Sequence, residues 1–499
     1  MATMKTSPDL VNFFVFNSDF GPKEGMEHEK VIIYIPTEED FDKKIKNIGL
    51  SEALIQFTET FAPEKPCEAV HTQKTRQTFY NPEPGYWMVM TVSIPFSEKI
   101  AKDGTKVVEY HDEDVVDSIL DAVLKQAYKM FRLFNGTFTY LVETYSREAL
   151  RKRADYFYTH YLQTLNFSNF DLLDVFSGIQ FLPLDKNTFL KVQCFVNLVE
   201  HTFNPVKYTA FLYSDKLVWS GLEQEDMRVM FKYLVTSLFP STLESGLSDK
   251  ASQGYVVVQP KSHHGRFITG PSELNDIPTP RKPPRIFVNT DIEQEELVLV
   301  CYKALDATIC LLIDTPNPSV EFYRKLDGFL GPQLTNLANI ICEQTAKKQL
   351  GSEQQYRYIY FNHMNLAQKS SIHSKKSSLT GVAPEIMRLM GDISADFKNF
   401  QEDGETYVKT MSDCWVVGRK SDQREFFVIL NQKSANLIEI NGQFSLIIIN
   451  HHFQERSNDF ASPVLISQTH THILAGFSIE ASSWRILTGI LHKLATYFD

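Results

Sequence analysis

The chain has 499 residues, more than one hydrophobic core holds, and this length predicts about two to four domains. Hydrophobic residues make up 43 % and aromatic residues 12 %, enough apolar surface for several cores, which excludes a disordered chain. A formal net charge of -11 excludes a nucleic-acid binder that works through its overall charge, so any anionic partner has to be met by a local patch.

The 6 cysteines form no Cys-x-x-Cys pair, so neither a zinc ribbon nor a disulfide framework is indicated, and buried thiols in a reducing compartment are expected. Met1 to Asp9 carry no apolar run suited to a signal peptide, and no stretch reaches the ~18 apolar residues of a membrane span. A cytosolic or membrane-peripheral protein is the expectation.

In chain order, "LVNFFVFN" (10–17) and "VIIYIP" (31–36) read as strands joined by the turn-forming "SDFGPKEG". Residues 44–61 have helical period; "AVHTQKT" and "YWMVMTVSI" read as strands. A long helix is expected over 112–134, with Asp112, Glu113 and Asp114 in its first turn and Lys125, Lys129 and Arg132 late, complementing the dipole. Another helix follows at about 146–165. Helices are predicted at 188–202, 224–238 and 319–348, with strands at "KYTAFLYSDKLVW", "ELVLVCY" and "TICLLID". The Ser-, Gly- and Pro-rich stretch 240–285 either interrupts a domain or separates two, and the basic "SSIHSKKSSLTG" (370–381) reads as an exposed loop. The last block repeats the order of the first: a strand at "YRYIYFNHMNL", a helix at "APEIMRLMGDISADFKNF", a meander of "CWVVGRK", "EFFVILNQ" and "FSLIIINHHF", and a closing helix at "SSWRILTGILHKLATYF". The fold class is therefore α+β, three modules in series with mainly antiparallel sheets flanked by helices, divided at about 1–165, 166–350 and 351–499.

Chemistry is sparse. There is no phosphate-cradling glycine loop, no G-x-S-x-G elbow and no H-E-x-x-H helix. His470 and His472 share one side of a predicted strand and His451 with His452 ends another, but polar strand and turn positions explain them without a metal. No cofactor is expected. The helix over 44–61 says more. Leu50, Ala53, Leu54, Phe57 and Phe61 form one stripe suited to its own sheet, and Ile45, Ile48 and Ile55 lie nearly opposite. Three outward isoleucines would be a partner-seeking patch; the alternatives are that the chain itself covers them or that the helix starts after Gly49. Arg151, Lys152, Arg153, Lys375 and Lys376 could meet anionic headgroups or could be ordinary solvated positions, as could Arg281, Lys282 and Arg285.

"FNSDFGPKEG", "KIKNIGLSEALIQFT", "HTQKTRQTFYNPEPGYWMVM" and "MFRLFNGTF" closely resemble the amino-terminal region of the Ccz family of vacuolar fusion proteins, over roughly residues 10–165. The resemblance implies three longin-type modules and a heterodimer with a Mon-type longin subunit, joined in animals by a large third subunit. It also implies guanine-nucleotide exchange on a late-endosomal Rab GTPase of the Rab seven type, at an anionic or phosphoinositide-containing late endosome, lysosome or vacuole membrane. Endosome maturation and autophagosome fusion with lysosomes would follow from that activity. On this basis Ile45, Ile48 and Ile55 become candidate pairing or GTPase-binding contacts, with no catalytic residue assigned. Two rivals stand beside this reading: a longin-type scaffold or tether without exchange activity, and an enzyme with an unfamiliar site around His470 and His472.

Overall fold

The computed structural model describes residues 5–23, 25–63, 67–100, 106–241, 263–271, 283–289, 293–349, 356–373, 382–399 and 403–458. The first module opens with β1 (Leu10–Asn17) and β2 (Val31–Ile35), then α1 (Phe41–Phe61), β3 (Ala69–His71), β4 (Thr75–Glu83) and β5 (Tyr86–Ser93). A separate two-stranded ribbon, β6 (Phe96–Ile100) and β7 (Lys106–Tyr110), leads into α2 (Asp117–Asn135), α3 (Phe138–Thr144) and α4 (Arg147–Gln163). The sheet runs β2-β1-β5-β4-β3. β1 is buried on both faces, Phe13 and Val15 toward α2 and α4, Phe14 and Phe16 toward α1, each side chain contributing roughly 1.5–3 kcal/mol.

The second module contains α6 (Lys186–Thr202), β8 (Val206–Tyr213), β9 (Lys216–Ser220), α7 (Gln224–Tyr233) with a π-helical turn at Leu234–Leu238, β10 (Gly265–Phe267), β11 (Arg285–Val288), β12 (Glu295–Ala304), β13 (Ala307–Ile313) and α8 (Val320–Gln349), after a short α5 (Leu172–Phe176). The third contains β14 (Arg357–Asn362), β15 (Ala367–Ser370), α9 (Pro384–Asn399), β16 (Gly404–Lys409), β17 (Trp415–Ser421), β18 (Arg424–Leu430) and α10 (Leu437–Asn458). Their strand orders are β9-β8-β13-β12-β10, with β11 also on β12, and β15-β14-β18-β17-β16. The first and third sheets thus place their second, first, fifth, fourth and third strands side by side, the six-stranded second sheet keeps that path with both β10 and β11 on β12, and the pairings within the sheets are antiparallel. The expected α+β architecture of three like modules is what the chain adopts.

Several sequence expectations are corrected. "FSLIIINHHF" is helical, inside α10: Ile440, Phe444 and Ile448 are buried at a four-residue spacing against Trp415, Val417 and Phe426. The reciprocal pair of Asn436 and Glu439, 2.9 and 3.0 Å, caps its start, so helical period and capping outweigh the β-rich isoleucine run. "AVHTQKT" is not one strand. It breaks at a turn held by Thr72, whose hydroxyl accepts from the Thr75 N–H at 2.9 Å, and β4 starts there. Asp112–Asp114 form their own short 3-10 turn before α2. The stretch 240–285 interrupts the second module, and part of it is strand: Phe267 of β10 sits edge-on to Tyr302 at 4.9 Å. The closing helix predicted at 482–498 lies outside the described residues.

Two joints hold the modules together. α2 faces two cores, with Leu120, Val123, Leu124, Ala127, Tyr128 and Phe131 toward the first sheet and Met130 and Leu133 toward α7 and the second sheet. Its ends are fixed. At the amino end the buried Arg76 donates to Asp112 (2.5 Å) and Asp117 (2.9 Å), and Arg388 of α9 pairs with Asp114 at 2.8 Å. Beyond the carboxyl end Gly136, at φ +78°, turns the chain. The buried Glu83 carboxylate there accepts from the N–H groups of Phe138 (2.6 Å) and Thr139 (2.8 Å) and from the Tyr128 hydroxyl (2.5 Å).

The second joint is the connector after α5. Leu172 and Phe176 belong to the third module's core, and the next residues bridge two sheet edges. Ile179 exchanges backbone hydrogen bonds with Leu366 and Gln368 beside β15, 2.7 and 2.8 Å, while Gln180 and Leu182 do so with Leu217 of β9, 2.8 and 2.9 Å. Gly178 permits this approach, because a Cβ there would lie 2.5 Å from Cβ of Gln368 and 2.8 Å from the Phe361 ring. Replacing Gly178 with Val is expected to cost about 1–3 kcal/mol, read as a lower thermal midpoint with increased amide exchange in β15 and β9.

Candidate functional site

α1 is apolar on two sides, and which side faces the sheet decides what is left for a partner. Ile48 and Ile55 are 2 % and 4 % exposed and pack on Phe14, Phe16, Tyr34, Phe79, Trp87 and Val89. Ser51, between them on the same stripe, is also buried; its small side chain lets the helix approach the sheet closely. Two polar ties fix the roll: Asn47 donates to the Tyr34 hydroxyl at 2.7 Å, and Lys30 to the Glu52 carboxylate at 2.7 and 2.8 Å. Ile45 is half-buried. The outward orientation expected for Ile45, Ile48 and Ile55 is therefore reversed for Ile48 and Ile55.

The opposite stripe is the open one. Leu50 is 60 %, Phe57 62 % and Phe61 75 % exposed, Ala53 is exposed and Leu54 half-buried, and the Phe57 and Phe61 rings meet edge-on at 5.0 Å. The equivalent helices of the other modules have no such face. α7 is covered by Met130 and Leu133 of α2, and α9 shares its core with Leu172 and Phe176 of α5. Among the described residues, α1 is the member of this trio whose outer stripe the chain leaves uncovered.

The basic candidates separate. Arg151 donates to the carbonyls of Val31 (3.1 Å) and Glu29 (2.9 Å), closing off the β2 edge. Arg153 lies over the Tyr145 ring at 4.7 Å, and Lys152 is exposed beside Glu148 at 3.8 Å. Arg285 pairs with Glu296 at 3.2 Å. Lys375, Lys376, Arg281, Lys282, His470 and His472 lie outside the described residues, and His451 and His452 fall within α10. Lys74 is exposed in the β3-β4 turn and Arg76 is buried. Trp87 is core, as its strand position predicts.

One constellation has the residue types of a hydrolase but the wrong order. The buried Glu425 carboxylate accepts from Ser394 Oγ and meets His363 Nε2, each at 2.8 Å. With the carboxylate in the middle, the imidazole does not touch the hydroxyl it would have to deprotonate. Among the described residues, no three His, Cys, Asp or Glu side chains converge on a metal position, and no helix is long and apolar enough to cross a membrane.

Three family models match in series: the first longin domain of INTU, CCZ1 and HPS4 over residues 10–136, and the second and third Intu longin-like domains over 206–331 and 352–445. A vacuolar fusion protein CCZ1 homolog from Nematostella vectensis is 77 % identical over 441 residues, covering 88 % of this chain and 96 % of that protein. The chain belongs to the CCZ1 family of vacuolar fusion proteins. Homologs of the same name from Xenopus laevis (51 % identical; 89 % of this chain and 96 % of that protein) and Dictyostelium discoideum (32 %; 86 % and 94 %) extend the likeness over the same span. Each of the three longin-like matches contains or overlaps one of the three sheets described above.

The two stripes of α1 make opposite predictions. Truncating Ile55 to Ala is expected to cost about 2–5 kcal/mol, whereas Phe57→Ser should leave stability within about 0.5 kcal/mol. Chemical denaturation of the two variants compares them directly; similar losses would contradict the assignment of faces.

Proposed function

We propose that this CCZ1-family chain is a subunit of a guanine-nucleotide exchange factor, pairing with a Mon-type longin subunit through the outer stripe of α1. The pair acts on a late-endosomal Rab GTPase of the Rab seven type, and so promotes endosome maturation, fusion with lysosome or vacuole, and autophagosome-lysosome fusion. The observation that carries this reading is the uncovered stripe of Leu50, Phe57 and Phe61 on a helix whose equivalents are covered within the chain. Aromatic side chains of this kind form the desolvated centre of an interface. A large third subunit and a membrane surface of anionic or phosphoinositide lipids complete the proposed setting on late endosomes and lysosomes.

Exchange requires neither nucleophile nor general base. It requires a surface that binds the nucleotide-free GTPase better than the nucleotide-bound form, because only differential affinity shifts the equilibrium. A preformed sheet-and-helix platform suits that task, and a chain with no hydrolytic constellation of workable geometry among its described residues is compatible with it. The same surface serves the alternative reading, a tether without exchange activity.

Nucleotide release separates the two. With Phe57→Asp and Leu50→Asp, assembly with the Mon-type subunit and GDP release from the GTPase should both fall by about tenfold or more, since each variant places an unpaired charge at a buried contact. Stable assembly with unchanged GDP release would remove the stripe from the mechanism, and a wild-type pair without exchange activity would favour the tether.

A further inference from the structure

Where α2 crosses α7, two cationic side chains from different modules face one another across the seam. Lys129 Nζ lies 3.1 Å and the Arg228 guanidinium 2.6 Å from the same oxygen, Oε2, of Glu225. A single carboxylate oxygen is shared between two positive groups. Arg228 Nε is buried with no acceptor, while the neighbouring Asp226 accepts from the Asn289 N–H at 2.6 Å. One turn along α7, Lys232 reaches Asp174 at 3.4 Å, and Arg132, the next basic residue of α2, adds its field at Lys129. Burial, and after it the Arg228 charge, hold the Lys129 ammonium below the usual lysine range. Like charges in a half-buried seam repel at reduced dielectric, and Glu225 is 41 % exposed, so its position opens to solvent.

We propose that this seam is an anion site for a phosphate-bearing ligand, with Lys129 and Arg228 as its contacts and Glu225 holding the place of one ligand oxygen. A phosphate group fits better than a second carboxylate. It carries about -1.5 to -2 charges and three acceptor oxygens, enough to meet an ammonium and the fork of a guanidinium separately. Because Lys129 belongs to the first module and Arg228 to the second, an occupant bridges them and tightens the joint. The phosphate arrives either on a soluble polyphosphate or on a lipid headgroup.

The test uses the purified full-length chain, titrated calorimetrically with inorganic tripolyphosphate and with inositol hexakisphosphate, and floated with phosphatidylcholine vesicles with or without a phosphatidylinositol monophosphate. Binding should weaken by about tenfold or more in Lys129→Gln with Arg228→Gln, and should be unaffected by Lys325→Gln, exposed on α8, which packs on the opposite face of the second sheet from α7. Glu225→Gln removes the competing charge and is expected to tighten binding severalfold, a gain that a damaged fold does not produce. Saturable polyphosphate binding without vesicle recruitment assigns a soluble ligand, and recruitment lost in the double variant assigns a headgroup. Absence of binding to every probe, binding equal in wild type and double variant, or Glu225→Gln binding no better than wild type overturns the proposal.

Discussion

Everything in this chain depends on one helix being buried on two sides. α2 gives its Leu120, Leu124 and Phe131 face to the first sheet and Met130 and Leu133 to the second, so neither core is complete without it. A helix in that position cannot roll or slide without opening apolar surface in two places at once. Its ends are fixed accordingly, by Arg76 and Arg388 on the acidic turn before its start and by Glu83 beyond its end. The modules are therefore repeated in topology but not independent, and the connector through Ile179 extends the same logic to the third by joining the edges of β9 and β15.

Much of the fold was legible because hydrophobic period is a local property. β1, β5, β12 and β13 read as strands from their apolar and β-branched content, and α2, α6 and α9 as helices. What failed was either competition between local signals or information that no local signal carries. The isoleucine run in α10 had β-propensity and helical spacing together, and packing against Trp415 and Phe426 decided between them. β10 is three residues long and owes its existence to the exposed edge of β12. The edge-bridging connector has no pattern of its own; its mark in the sequence is Gly178, whose role depends on residues almost two hundred positions away.

The candidate site shows the same limit more sharply. Periodicity found both apolar stripes of α1 and could not orient them, since Leu50, Phe57 and Phe61 are as suited to burial as Ile48 and Ile55. A small residue at the centre of one stripe, Ser51, and polar residues beside it with partners on β2 and near its start were the available signals. They identify the sheet-facing side because a close approach needs a short side chain, and a half-buried tie needs a partner within reach. Periodicity singled out α1, and the structure supplied the direction of its two stripes.

Under the proposed pairing, the aromatic stripe on α1 also bears on the life of the chain before it finds its partner. A surface carrying Phe57 and Phe61 in mutual contact is a sticky one for any exposed apolar segment, including other copies of itself. Free subunit is then the species that chaperones hold and proteases remove, and burial of the stripe withdraws it from both. Cellular abundance of a chain paired as proposed would track its partner's supply, rising when the partner is made in excess and falling when it is not.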